Sequence, residues 1–467
     1  MPAAVLNSIH NTSDSTLDYS NTQYAHNFYV DATPGTGDLF YNGAWHTWLA
    51  GGLGPGGAAI YALDITNPAA SNFTEANASS VVVGEWNAAT ITCVNVASCG
   101  TNLGNTYGTP QIRRFHNGMW GVVFGNGFGS STGDAGIYVM TVDPASSATR
   151  FYYLSTGAVG SNGIASVASA DLDGDQVADY IYAGDLQGNV WRFDVTSNDP
   201  TNWAAAASPM FKAPAGQLIT SKLLVVATAV TGGPPRLLVE FGTGRKVPLS
   251  VSAPASYASG SHDLYGVWDW DMTGWNAKSA AQYQVLTSAA TGLSSPYTLG
   301  KSNLRQQTLT IAASGVRNGT NNPVCWQGST DCSLTANDRF GWYVDLPGSN
   351  EQIVFNPIFF QGAFIVDSSV PANNIPTSCT TNSDTGFTYV LAVGNGGTFT
   401  STFNNRRDAM VNTVGVETDA TGSPYVVTTA EQTTNLIFQT VTGIPGSEQI
   451  NLPSNAKATR LTWVELR

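Results

Sequence analysis

The sequence predicts an all-β protein, a β-propeller of seven blades that is enlarged by insertions. Two observations support this prediction. A short apolar strand pattern recurs behind glycine-rich turns, and helix signals are scarce. A large β-sandwich, or two separate β domains, is the alternative fold. No linker rich in Pro, Gly or Ser divides the chain, so residues 1–467 are expected to form a single β-propeller domain.

The repeated unit is a glycine turn followed by an alternating apolar strand that usually ends in aspartate. Copies end at Asp64, Asp143, Asp194, Asp269 and Asp345, and a further copy covers Gly386–Ala392. Their spacing of about 50 to 80 residues fits one four-stranded blade plus variable insertions. Six visible copies indicate six to eight blades. Seven blades are predicted. One of them is expected to be closed by pairing of the strand-like ends, Asn27–Asp31 and Arg460–Leu466.

Helices and long loops are expected at few places. One helical turn is predicted within Pro200–Ala207 and a short helix within Thr273–Thr287. The polar stretches 72–106, 287–335 and 371–386 are predicted to be loops on the propeller faces.

An aspartate-rich segment is the most informative local feature. Asp171, Asp173, Asp175 and Asp179 stand at relative positions 1, 3, 5 and 9 of a short loop. Alternate residues of a tight loop turn their carboxylates inward, and the backbone carbonyl of Val177 at position 7 can complete an oxygen cage. Four carboxylates so close in sequence repel one another unless a cation neutralises them. The spacing therefore predicts a site for a hard divalent cation.

This loop differs from an EF-hand, which requires glycine at position 6 and a bidentate glutamate at position 12. Here those positions hold Gln176 and Tyr182, and the flanking segments Ile164–Ser169 and Tyr180–Ala183 are strand-like. Because the donors are all oxygen and the loop is flexible, Ca²⁺ is favoured over Mg²⁺. An exposed turn without an ion is the alternative, and a purely structural role for the ion is a second open interpretation.

Composition restricts the class of protein. Charged residues make up 11% of the chain, Asp outnumbers Glu 24 to 8, and the net charge is −13. This acidity argues against nucleic acid or an anionic membrane as the main partner. No run of 18 apolar residues exists, so no membrane-spanning segment is predicted. No signal peptide precedes Met1–Ala4, yet the rest is typical of exported proteins, so we expect a piece of a longer precursor, or a mature or recombinant form.

The five cysteines include two pairs that are close in sequence. Cys93 and Cys99 form one pair, and Cys325 and Cys332 form the other. Neither has the doubled CxxC spacing of a zinc site, so local disulfides and an oxidising compartment are predicted, with free buried cysteines as the alternative. Cys379 remains unassigned, either as a buried thiol or as half of a bridge to an absent part of the precursor.

No catalytic constellation is evident. The histidines show neither HxH nor HExxH spacing. Gly129–Gly133 matches GxSxG without a nucleophile elbow, and Gly52–Gly57 matches GxGxxG but is followed by a strand instead of a helix. The tryptophans Trp268, Trp270 and Trp275 are candidates for a sugar site, although packing between blades is the favoured interpretation.

Several segments together resemble a known family. They are Ala44–Gly54, Ile60–Pro68, Gly108–Ile112, Val123–Gly127, Asp171–Asp194, Phe241–Arg245 and Leu461–Leu466. In this order they are similar to the C-terminal domain of the PilY/PilC family of type IV pilus-associated proteins. The aspartate segment is highly specific, whereas each of the others is weak alone.

This resemblance implies a modified seven-bladed propeller at the C-terminus of a longer secreted protein. It implies Ca²⁺ held by Asp171, Asp173, Asp175, Asp179 and the Val177 carbonyl. It further implies a place at the pilus tip or outer cell surface, reached through the periplasm. The implied roles are priming of pilus assembly with minor pilins, control of pilus extension and retraction, and attachment to a host or abiotic surface.

Two functional hypotheses follow. The first is a calcium-binding regulatory module for pilus biogenesis, twitching motility and attachment, without enzymatic activity. The second is an enzyme, because Ala183–Asp194 also resembles a blade motif of the quinone-dependent dehydrogenases. Those enzymes cap their cofactor with adjacent cysteines, which this chain lacks. The first hypothesis is therefore preferred.

Overall fold

A computed structural model describes most of the chain. The described residues are 1–24, 27–247, 256–286, 293, 297–312, 315–333, 335–372, 382–403, 405–431, 433–453 and 458–462. They fall into two compact units. The first is built mainly from Met1–Leu186 and Val190–Ser208, and the second mainly from Pro209–Lys246 and the described residues after Tyr257. The assignment of residues 1–467 to a single domain stays a prediction.

Short strands provide most of the regular structure up to residue 208. They are β1 (Gly35–Tyr41), β2 (Ala44–Gly52), β3 (Ala59–Asp64), β4 (Val82–Asn87), β5 (Gln111–Arg114), β6 (Trp120–Gly125), β7 (Gly136–Val142), β8 (Thr149–Ser155), β9 (Val167–Ala170), β10 (Tyr180–Gly184), β11 (Asn189–Asp194) and β12 (Ala204–Ala205).

The later strands are similarly short. They are β13 (Phe211–Lys212), β14 (Leu224–Val230), β15 (Gly233–Gly242), β16 (Lys246–Val247), β17 (Ser256–Tyr257), β18 (Asp263–Trp268), β19 (Leu299–Gly300), β20 (Arg305–Gln307), β21 (Leu309–Ile311), β22 (Val316–Gly319), β23 (Gly341–Asp345), β24 (Ile358–Phe360), β25 (Ala363–Asp367), β26 (Phe387–Ala392), β27 (Thr413–Glu417), β28 (Tyr425–Thr428), β29 (Thr434–Gln439), β30 (Pro445–Ile450) and β31 (Ala458–Arg460).

Helical structure in the described residues is limited to segments of three to six residues. The α-helical turns are α1 (Ala78–Val81) and α2 (Thr273–Asn276). The 3₁₀ turns cover Ala3–Ser8, Ser15–Leu17, Gly54–Gly56, Ala70–Asn72, Glu75–Asn77, Cys99–Asn102, Pro200–Asn202 and Lys301–Asn303. None of the helices in these described ranges has the length and apolarity needed to cross a lipid bilayer.

The first unit repeats one simple sheet pattern. Strands β1 to β4 form a four-stranded antiparallel sheet in chain order, and β5 to β8 form a second one. In the third group β9, β10, β11 and β12 pair in sequence. The predicted repeat is thus confirmed as a meander of short strands, which is the construction of a propeller blade.

The middle sheet of this unit, β5–β8, is buried on both faces. Val122 packs with Trp48 in a cluster shared with β1–β4. Its neighbour Val123 packs with Ile181 and Phe193 in a cluster shared with β9–β11. Because successive side chains of a strand point to opposite faces, an almost continuous apolar strand supplies both clusters.

The second unit contains two six-stranded sheets. One has the order β20-β23-β18-β15-β14-β31 and the other β21-β22-β27-β26-β25-β24. A three-stranded sheet, β28-β29-β30, packs through Leu436 and Ile450 against Ile365 and Val390 of the second sheet.

Two expectations about this architecture are corrected. Asn27–Asp31 forms no strand, and the C-terminal strand β31 pairs with β14, so the predicted closure through the chain ends is wrong; residues 463–467 lie outside the described part. The polar stretch 72–106 contains β4, and 287–335 contains β19 to β22, because these segments complete sheets as edge or inner strands. The short helix predicted within Thr273–Thr287 is present as one turn, Thr273–Asn276.

Other expectations are confirmed. The helical turn within Pro200–Ala207 is present as Pro200–Asn202. The tryptophans Trp268, Trp270 and Trp275 are all buried, which agrees with packing and not with a sugar site. Both predicted disulfides, Cys93–Cys99 and Cys325–Cys332, are formed. Cys379 and most of the stretch 371–386 lie outside the described residues.

A buried acid in the second unit makes stability depend on pH. Asp367 on β25 is fully buried; its Oδ1 accepts a hydrogen bond from Thr388, whereas its Oδ2 has no described partner. Burial raises the pKa of Asp367 to about 7. Between about pH 4 and 7 the folded state therefore holds a proton that the unfolded chain releases, and the free energy of unfolding falls as pH rises.

The variant Asp367→Asn is expected to remove this contribution, since the amide is neutral at every pH. Its thermal midpoint relative to the parent protein should rise between pH 4.5 and pH 7.5, as calorimetry would show. A difference that stays constant over this range would show that Asp367 is already ionised in the folded protein.

Candidate metal centre

The aspartate-rich loop connects β9 to β10, two buried neighbouring strands. Tyr180 is paired with Ala170 across them, and the Asp179 N–H donates to the Ala170 carbonyl over 2.9 Å. The loop therefore leaves and re-enters the sheet at adjacent points. The hydrogen bonds between β9 and β10 fix both ends of the loop. This agrees with the strands predicted on either side of it.

Three of the four predicted carboxylates converge. One carboxylate oxygen each of Asp171, Asp173 and Asp179 lies within 4.8 Å of the other two. Asp175 lies outside this group; its Oδ1 accepts a hydrogen bond from the Val177 N–H over 2.9 Å. The structure thus brings together positions 1, 3 and 9 of the predicted ligand set, while Asp175 and the Val177 carbonyl remain predicted ligands.

Asp171 organises the backbone of the loop. Its Oδ1 accepts from the Gly174 N–H over 2.7 Å and its Oδ2 from the Gln176 N–H over 2.9 Å. These bonds accompany a tight bend in which Gly174 has φ +81° and Gln176 has φ +67°. Positive φ is easily adopted by glycine and costs a side chain such as glutamine some strain. The loop is therefore curled around its first carboxylate.

Asp179 forms the buried wall of the site. Its side chain is fully buried, and its Oδ2 accepts from the Leu172 N–H over 2.6 Å. Its Oδ1 lies 2.7 Å from Nε2 of His116, which donates to the carboxylate. His116 was not predicted from the sequence, because a lone histidine 63 residues upstream carries no recognisable signal.

Burial and mutual repulsion act on these carboxyl groups. Burial raises the pKa of Asp179, the hydrogen bonds from His116 and Leu172 oppose that rise, and the charge of Asp173 adds to it. Burial likewise raises the pKa of Asp171, against the N–H donors of Gln176 and Gly174. The His116 pKa is raised, chiefly by its hydrogen bond to Asp179. Without a cation, the ionised form of these carboxyl groups is therefore energetically unfavourable.

A hard cation fits these residues. The donors are carboxylate oxygens, and each ionised carboxylate retains lone pairs beyond those that accept N–H bonds. A divalent cation would offset both the burial and the repulsion. The side chain of Asp173 is exposed and that of Asp179 is buried, so the cluster reaches from the interior of the unit to the surface.

Comparison with known proteins agrees with the fold. Residues 16–316 match the family described as the PilY1 beta-propeller domain. The crystal structure of the Pseudomonas aeruginosa PilY1 C-terminal domain superimposes with a TM-score of 0.67 at 24% identity, covering 97% of this chain and 87% of that one. At this identity the superposition supports the fold alone.

Sequence similarity to characterised proteins also supports the family assignment. The type IV pilus biogenesis factor PilY1 of Pseudomonas aeruginosa PAO1 is 34% identical over 352 residues, which is 69% of this chain and 26% of that protein. A PilY1 homolog of Xylella fastidiosa is 27% identical over 409 residues, 81% of this chain and 24% of that protein. The chain thus spans about a quarter of the length of these relatives. It belongs to the PilY1 β-propeller domain family of type IV pilus biogenesis factors.

Proposed function

We propose that this chain is the calcium-binding β-propeller module of a type IV pilus-associated protein. It would act in pilus biogenesis, in the balance between extension and retraction that drives twitching, and in attachment. The observation that carries the proposal is the convergence of the Asp171, Asp173 and Asp179 carboxylates within a domain of this family. The module would have seven blades and form the C-terminal part of a longer secreted protein.

The physical mechanism is local. Asp171, Asp173 and Asp179 would hold the cation, with Asp175 and the Val177 carbonyl as further oxygen ligands, and the ion would offset much of the negative charge of the loop. Without the ion, carboxylate repulsion loosens the loop. Because the loop joins two neighbouring strands, its order governs the adjoining sheet edge, which would form part of a partner surface.

The proposed setting follows from the relatives and from the cysteines. The relatives named above are pilus biogenesis factors, which favours a binding module over the quinone-dependent enzyme. The two disulfides fit an oxidising compartment. We place the protein at the pilus tip or outer cell surface. Its proposed partners are minor pilins or a pilus tip complex, the N-terminal domain of its own precursor, and a host or abiotic surface ligand.

Replacing Asp179 by alanine should abolish calcium binding, because it removes the buried wall of the site. Calorimetric titration with CaCl₂ would measure binding, and circular dichroism would check that the β structure remains. A matched control is Asp199→Asn, which changes an exposed aspartate that caps a separate turn. Binding heat that is unchanged in Asp179→Ala would contradict the ligand assignment.

The same Asp179→Ala variant, introduced into the full-length gene, tests the cellular role. We expect fewer surface pili and reduced twitching when calcium is present, with the Asp199→Asn strain behaving like the parent. Loss of calcium binding with normal piliation and twitching would restrict the ion to a structural role.

Replacing Asp173 by asparagine should have opposite effects with and without the ion. In EDTA the thermal midpoint should rise slightly, since one member of a repelling cluster becomes neutral. In calcium the midpoint of the variant should lie below that of the parent protein, since the loss of a ligand charge weakens the stabilisation that bound calcium would give. Melting curves in both buffers would show this reversal, and a midpoint in EDTA below that of the parent would argue that repulsion is unimportant.

A further inference from the structure

The calcium loop is attached to a turn that precedes it by more than fifty residues. We infer that His116 is a positioning residue, which orients Asp179 for the ion and couples the ion site to the β5–β6 turn. This inference rests on the proposed calcium function and adds a residue and a route of regulation to it.

The turn that carries His116 is firmly held. The Phe115 N–H donates to the Met119 carbonyl and the Gly118 N–H donates to the Phe115 carbonyl, each over 2.9 Å. The Met119 N–H donates to Oδ1 of Asn117 over 3.0 Å. Phe115 is fully buried and its ring lies 5.0 Å from that of Trp203. The imidazole is therefore presented from a closed turn anchored in the core.

Asp179 is held from both sides. His116 Nε2 contacts Oδ1 at 2.7 Å and the Leu172 N–H contacts Oδ2 at 2.6 Å, so the plane of the carboxylate is fixed. Partners of this kind set the orientation of a metal ligand, and their loss usually weakens metal binding about 10- to 100-fold. Of the two donors, only His116 acts through a side chain.

A second bond links the same two segments. The Ala178 N–H donates to the Arg114 carbonyl over 2.9 Å. The residue before Asp179 and the ligand itself are thus both tied to the chain between Arg114 and His116. If the loop is restrained around an ion, these two direct bonds would pass part of that restraint to the chain between Arg114 and His116.

The main test measures calcium affinity by calorimetric titration of the parent protein and three variants. His116→Ala should weaken binding about 10- to 100-fold. His116→Gln, which keeps an N–H donor on a side chain of similar reach, should recover part of that loss. The matched control is His46→Ala, since His46 contacts Asp64 at 2.8 Å in the same unit but on a different sheet.

The outcomes separate this inference from the function on which it rests. A parent protein that binds no calcium refutes the proposed function. A parent that binds, with His116→Ala binding equally well, overturns the positioning role. An equal loss in the alanine and glutamine variants, or a similar loss in His46→Ala, would also overturn it, because the effect would then not depend on the donor to Asp179.

Hydrogen exchange of the parent protein tests the coupling without any substitution. Calcium should slow amide exchange both in the loop 171–179 and in the turn 115–119. The β1–β2 turn at Asn42 and Gly43 serves as the internal reference and should not respond. Protection restricted to the loop would overturn the coupling to the β5–β6 turn.

Discussion

The first unit depends on one constraint, which is that its middle sheet must be covered on both faces. Val122 and Val123 are consecutive, yet they belong to different apolar clusters. A strand of this kind has no face available for polar side chains. Turns and loops, where the chain leaves the sheets, offer the room for converging carboxylates that such a strand does not. The aspartate loop between β9 and β10 is such a place.

The site combines carboxylates whose charged state is unfavourable with hydrogen-bond donors that stabilise that state. The burial of Asp179 and the proximity of Asp171 and Asp173 disfavour the charged state. N–H donors from the loop, together with His116, compensate part of that cost before any ion arrives. The hydrogen bonds therefore offset part of the cost of the charged cluster, and the remaining repulsion favours a cation between the carboxylates.

Features that depend on residues close together in the chain could be predicted from the sequence. The glycine turns and alternating strands predicted β3, β7, β11, β18, β23 and β26, because a two-residue period and a turn residue act within a few positions. The convergence of Asp171, Asp173 and Asp179 followed from spacing alone. Pairing between strands far apart in the chain could not be predicted. Strand β31 pairs with β14 across more than two hundred residues, and neither sequence indicates its partner. His116 escaped prediction for the same reason.

The gradient of exposure across the site has a consequence for the exchange of the ion. Asp179 closes the inner side of the cluster, whereas Asp173 and Asp175 stand in solvent. A cation can thus enter and leave from the outer side without any strand separating from its neighbour. The two outer carboxylates also attract cations from a distance before contact. Under the proposed function, occupancy would follow the cation concentration outside the protein on the timescale of diffusion and loop motion, not on that of unfolding.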